Sequence, residues 1–133
     1  MIKYPKYVYP LKPESFKKAS LGDENCACML GHVAIQFSKN PLCYVSTLRR
    51  VDIKIYNPKK GSLEAVVIKK LKRFIYLNSL LNSEEYRSYN NKSDTTFIHV
   101  WNDNKFRANT ERAKIWNKFI ESLGYTEDVE VSV

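Results

Sequence analysis

A chain of 133 residues, 44% of them hydrophobic, fits one compact domain with a core of its own, and 22 Lys/Arg against 14 Asp/Glu leave a net charge of +8. Three cysteines, an odd number, argue against a disulfide framework, and the first ten residues (MIKYPKYVYP) lack the apolar run of a secretory signal. No apolar stretch approaches the roughly 18–20 residues that cross a bilayer, so a membrane span is excluded and the expected setting is cytoplasmic. The charge is uneven: residues 1–80 hold 15 Lys/Arg against 5 Asp/Glu, and residues 81–133 hold 7 against 9. A basic surface concentrated in one part of a domain favours an anionic partner, RNA or DNA first and an acidic protein next. Richness in Lys, Asn, Ile and Tyr also fits an AT-rich genome, which adds lysines without functional selection.

In chain order, residues 1–12 read as an extended arm, because Pro5 and Pro10, with Pro13 following, break any helix while Tyr4, Tyr7 and Tyr9 alternate with Lys3 and Lys6. PESFKKASLG predicts a short helix with Pro13 in its first turn. From Gly31 the alternation of Val33, Ile35 and Phe37 with His32, Ala34 and Gln36 predicts a strand that stops at Asn40-Pro41. CYVSTLRRVDIKIY is rich in β-branched and aromatic residues and reads as a further strand or strand pair. NPKKGS is a turn that ends in a helix cap at Ser62.

The segment VVIKKLKRFIYLNSLL (66–81) is an amphipathic helix on helical spacing. Leu63, Val67, Ile68, Leu71, Phe74, Ile75 and Leu81 share one arc, and Lys69, Lys72, Arg73 and Tyr76 lie opposite, with Lys70 at the border. Residues 82–94 read as a polar linker within the domain, and TTFIHVW as a strand with Phe97, His99 and Trp101 on one side. A second long helix starts near Asn109 or Thr110, buries Ala113, Ile115, Trp116, Phe119, Ile120 and Leu123, and closes at Gly124. VEVSV alternates Val129, Val131 and Val133 and predicts a last strand. The expected architecture is therefore a single α+β domain over 1–133. It is a two-layer sandwich in which a mixed or antiparallel sheet of about four to five strands packs against two long helices.

The leading functional expectation is a nucleic-acid-binding protein that contacts phosphates through Lys69, Lys72 and Arg73, with Tyr76 stacking and Arg49, Arg50, Lys59 and Lys60 extending the patch. No acid occurs between Glu64 and Glu84, whereas an ordinary solvated helix face mixes both signs. An interaction or inhibitor module, viral or regulatory, whose basic face docks on an acidic protein is the alternative.

A third expectation uses His32 and His99, each followed by Val, as a proton-transferring pair for a ribonuclease or phosphodiesterase. GHVAIQ and FIHVWN partly resemble the paired His-x-Thr/Ser strands of the two-histidine phosphoesterases. That resemblance implies two histidines facing one cleft, each with a hydroxyl two residues on to hold phosphate. Ala34 and Trp101 stand at those hydroxyl positions, and the likeness covers only two tripeptides.

Cys26, Cys28, His32 and Cys43 are zinc-ligand types at a spacing that does not suit a knuckle, so neither metal nor cofactor is expected. Arg112, beside Asn102, Asp103, Asn104, Lys105 and Arg107, is either part of an anion site at a helix start or a side chain whose stem lies on apolar neighbours with its head in water.

Overall fold

The computed structural model describes residues 3–6, 8–17, 26–37, 58–90 and 93–125. Those residues form a 3-10 turn, Pro13–Ser15, and five α-helices: α1 Met29–Phe37, α2 Leu63–Asn78, α3 Ser83–Tyr89, α4 Asp94–Asp103 and α5 Asn109–Ser122. They contain no strand, only an isolated parallel bridge between Phe16 and Ala27. The expected α+β sandwich is thus replaced by a helical architecture. The predicted strands over 43–56 and 129–133 lie outside the described residues, as do Arg49 and Arg50.

α1 is the reason the period-two reading failed. Eight of its nine residues are buried, His32 and Gln36 among them. A helix with only Ile35 half-buried and the rest enclosed shows no wet face, so its sequence carries no 3.6-residue stripe to set against the alternation. It packs on both α2 and α4, and its first turn is capped from α4, where Asn102 Oδ1 accepts from Met29 N–H at 3.0 Å.

α4 was expected to be a strand with Phe97, His99 and Trp101 on one side. As a helix it buries Thr95, Phe97, Ile98, Trp101 and Asn102, and His99 turns away. Residues 82–94 hold α3, nucleated by a capping box: Glu85 N–H donates to Asn82 Oδ1 at 2.8 Å, and Asn82 N–H donates to Glu85 Oε1 at 2.9 Å.

The two long amphipathic helices follow their sequence patterns. α2 starts behind Gly61, at φ +82°, and Ser62, whose Oγ accepts from Ala65 N–H, and it buries Val67, Ile68, Leu71 and Ile75. α5 ends in a Schellman arrangement, with Gly124 at φ +101° and Tyr125 N–H donating to Ile120 O at 3.2 Å.

The arm is sewn onto this bundle. Val8 enters the core, Tyr9 N–H donates to Gln36 Oε1, and Trp116 Nε1–H donates to Tyr9 O. The Asn117 amide accepts from Leu11 N–H at 2.7 Å and donates to Leu11 O at 3.0 Å. The predicted helix after Pro13 is only the 3-10 turn in the described part.

The loop between α4 and α5 is held by Arg112, which is 1% exposed. Its guanidinium donates to Asn102 O twice, to Asn104 O, to Arg107 O and to Asn109 Oδ1. All five donors are thereby used. The head is not in water and has nothing left for an anion; it caps the orphan carbonyls at the end of α4 instead. Burial, then the charge of Arg107, holds its pKa below the ordinary arginine value.

Candidate anion-binding face

α2 divides its basic residues between two roles. Lys69, Lys70 and Arg73 are exposed and make no ion pair among the described residues. Glu64, the one acid in the helix, is buried in the first turn, so it does not offset them at the surface. Lys59 and Lys60 are exposed in the turn that leads into α2.

Lys72 and Tyr76, both expected on the binding face, are engaged elsewhere. Lys72 Nζ lies 3.1 Å from Asp94 Oδ1 and 4.8 Å from the Tyr89 ring centroid, with its side chain 13% exposed. Tyr76 stacks on Tyr89 at 3.9 Å between centroids and meets Tyr86 edge to face. These contacts tie α2 to α3 and α4. One face of the Tyr76 ring is already covered, which leaves it poorly placed as a platform for a base.

Beside the cations runs a groove of about 230 Å³ between α2 and α5, lined by Phe74, Leu77, Phe119, Ser122 and Leu123 with Lys70 and Arg73 as the charged residues. Phe74 and Phe119 rings pack 5.7 Å apart at its base, and Leu77 is 62% exposed. The sequence marked both stripes but could not show that their edges meet here. Lys70, placed at the border of the helix wheel, belongs to the exposed face.

The histidines do not form a pair. His32 is 1% exposed, packed edge-on by Phe16 and tilted against Trp116, and its Nε2 sits 2.6 Å from Ser15 O. A carbonyl only accepts, so Nε2 carries the proton and donates it. Burial pushes its pKa down to about 4, which keeps the ring neutral near pH 7. His99 lies on α4 with Nε2 3.3 Å from Asp103 Oδ2, in a cavity of about 390 Å³ whose walls include Glu84, Glu85, Lys105 and Phe106 but not His32. His32 is enclosed and absent from the walls of the His99 cavity, so that cavity does not bring the two rings together as the expected acid–base couple.

Cys28 is buried and its thiol is pushed up to about 11 by that burial, an inert state for a nucleophile. No group of three metal-ligating side chains occurs among the described residues. No helix there is long and apolar enough to cross a membrane. No family model, curated protein or solved structure matches the chain. The basic face therefore stands on its chemistry alone.

Proposed function

We propose that this protein binds RNA or DNA through phosphate contacts made by Lys69, Lys70 and Arg73, with Lys59 and Lys60 extending the track at the start of α2. The supporting observation is that three exposed cations share one face of a helix whose single acid is buried. A rigid 16-residue helix presents point charges at fixed spacing, which suits a repeating polyanion and carries little sequence preference. Lys72 and Tyr76 are not part of the contact set, because they hold α3 and α4 to α2.

Titration of a labelled single-stranded oligonucleotide against salt tests the reading. Three phosphate contacts give a log–log slope of about −2 for single strands, and charge reversal at Lys69, Lys70 and Arg73 together abolishes binding while the helical spectrum is unchanged. Affinity that ignores salt, or absence of affinity for RNA and DNA alike, sinks it.

A second reading, docking on an acidic partner protein, draws on the apolar surface of Leu77 beside Arg73, which a phosphate backbone does not use. Capture from nuclease-treated lysate separates the two: protein partners that persist favour docking, and loss of all partners favours nucleic acid.

A further inference from the structure

Leu80, 92% exposed, and Phe106, 84% exposed, are the most exposed large apolar side chains among the described residues. They are neighbours. Both line a cavity of about 280 Å³ that also takes in Glu111, and Phe106 lines a second, of about 390 Å³, whose acids include Glu84 and Asp103. Phe106 therefore stands between two acid-lined hollows. Together the hollows hold four acids, Glu84, Glu85, Asp103 and Glu111, against two permanent cations, Lys105 and Arg107, with His99 beside Asp103.

This tip is held in place. Phe106 N–H donates to Asn104 Oδ1 at 2.9 Å, and Arg107 N–H closes the turn onto Asn104 O at 3.1 Å. The buried Arg107 guanidinium also donates to Leu80 O at 3.4 Å. One side chain thus fixes both apolar residues where water reaches them, and a pre-ordered apolar pair with acids around it binds at low entropy cost.

The same chain carries the complement of that tip. The α2–α5 groove, about 230 Å³, has an apolar floor, Lys70 and Arg73 as its charged residues and no acid in its wall. A cavity of about 150 Å³ takes a benzene ring, so a phenyl side chain fits. Lys70 and Arg73, three apart on a helix, stand about 5–6 Å from each other at Cβ, close enough for both to meet acids that flank one ring. Within one molecule the two surfaces do not meet, since Phe106 and Leu77 are both exposed.

We propose that Leu80 and Phe106 of one copy dock in the α2–α5 groove of a second copy, with Phe106 on Phe74, Leu77, Phe119 and Leu123 and with Glu84 and Glu111 toward Lys70 and Arg73. The docking rests on the acidic-partner reading above and gives it a partner; the phosphate reading is a rival for the same cations. Copies of net charge +8 repel one another, so the contact depends on the acids gathered at the tip. Because two different surfaces meet, each pair leaves one tip and one groove unfilled, and association continues unless a ring closes.

Sedimentation of the nuclease-treated full-length protein over a concentration series is expected to show mass rising with concentration. Phe106→Ser removes the ring from one surface, and Lys70→Glu with Arg73→Glu reverses the other. All three positions are exposed, so the helical spectrum stays, and each variant associates with itself at least about tenfold more weakly. Mixed, the two variants retain one intact surface each and form a one-to-one pair that grows no further. With the Phe106→Ser partner labelled in that mixture, NMR signals of the Leu77 and Leu123 methyls and the Phe119 ring are expected to move, while those of Leu30 and Val33 in the core stay. A parent protein that is monomeric at every concentration overturns the docking. So do self-association that both variants keep and a mixture in which the groove signals stay put. A monomeric parent that captures another protein from nuclease-treated lysate, and loses it on Leu77→Ser, removes the second copy while the acidic-partner reading stands.

Discussion

Arg107 Nη2 lies 2.6 Å from Glu85 Oε2, and the two side chains are 4% and 1% exposed. The pair joins the loop before α5 to the first turn of α3. Arg107 also donates to Glu111 Oε2 at 2.8 Å and to Trp101 O at 3.1 Å, and its guanidinium lies 4.5 Å from the Trp101 ring. No buried side-chain polar atom among the described residues is left without a partner. Removing one member of such a pair strands the other in low dielectric.

Glu85→Ala is therefore expected to destabilise the fold by about 3–5 kcal/mol, read from urea unfolding. It also removes the capping-box acceptor for Asn82 N–H, so α3 melts first. A Glu85→Ala, Arg107→Met double variant recovers part of the loss because no buried charge remains. A loss under about 1 kcal/mol in the single variant contradicts burial of this pair.

His32 predicts an acid-sensitive stability. Its folded pKa, about 4, lies below the ordinary 6.5, so the unfolded chain binds the proton first. The contribution of the neutral ring is complete above about pH 6.5 and is lost progressively as pH falls toward 4, with a slope of at most about 1.4 kcal/mol per pH unit. His32→Gln, which cannot titrate, flattens unfolding free energy across that window. A wild-type profile that is already flat between pH 6.5 and 4.5 counts against a buried neutral histidine.

The division of cations on α2 is separable by mutation. Lys69→Glu, Lys70→Glu and Arg73→Glu each change stability by less than about 0.5 kcal/mol, as exposed positions do, and each weakens oligonucleotide binding. Lys72→Ala does the reverse, costing about 1 kcal/mol through its contacts with Asp94 and Tyr89, a figure held low because Asp94 is partly in water. Its effect on binding is the smallest of the four. Equal binding losses at Lys72 and Arg73 refute the partition.

What could be read in the sequence follows from which helices have a wet side. α2 and α5 each bury one stripe against water, so Ser62, Gly124 and the apolar arcs were visible from spacing alone. α1 shows no such contrast, because Val33, Ile35 and Phe37 alternate within a segment in which every residue but the half-buried Ile35 is buried; α4 is short, and its buried Asn102 reads as polar loop. The capping box of α3 was present in Asn82 and Glu85, but the polar residues around it masked a helix whose stability comes from Arg107, twenty-two residues on. At the candidate face, the cations themselves were legible. Their division was not, since Asp94 and Tyr89, which claim Lys72 and Tyr76, come from other elements.

Asn117 governs the arm. Its amide occupies both the N–H and the C=O of Leu11, as a neighbouring strand would, and it holds residues 8–12 against α5 in a segment with no ladder of its own. Asn117→Ala leaves both Leu11 groups to find water, at about 1–2 kcal/mol for a partly buried pair. Because Tyr9 O and N–H are still held by Trp116 and Gln36, the arm is expected to open locally from residue 11 rather than detach. Amide exchange at Leu11 accelerates at least about tenfold, the equivalent of about 1.4 kcal/mol, while exchange at Val33 in the core tracks global unfolding. Exchange that speeds equally at both positions shows that the clamp supports the whole fold and not the arm alone.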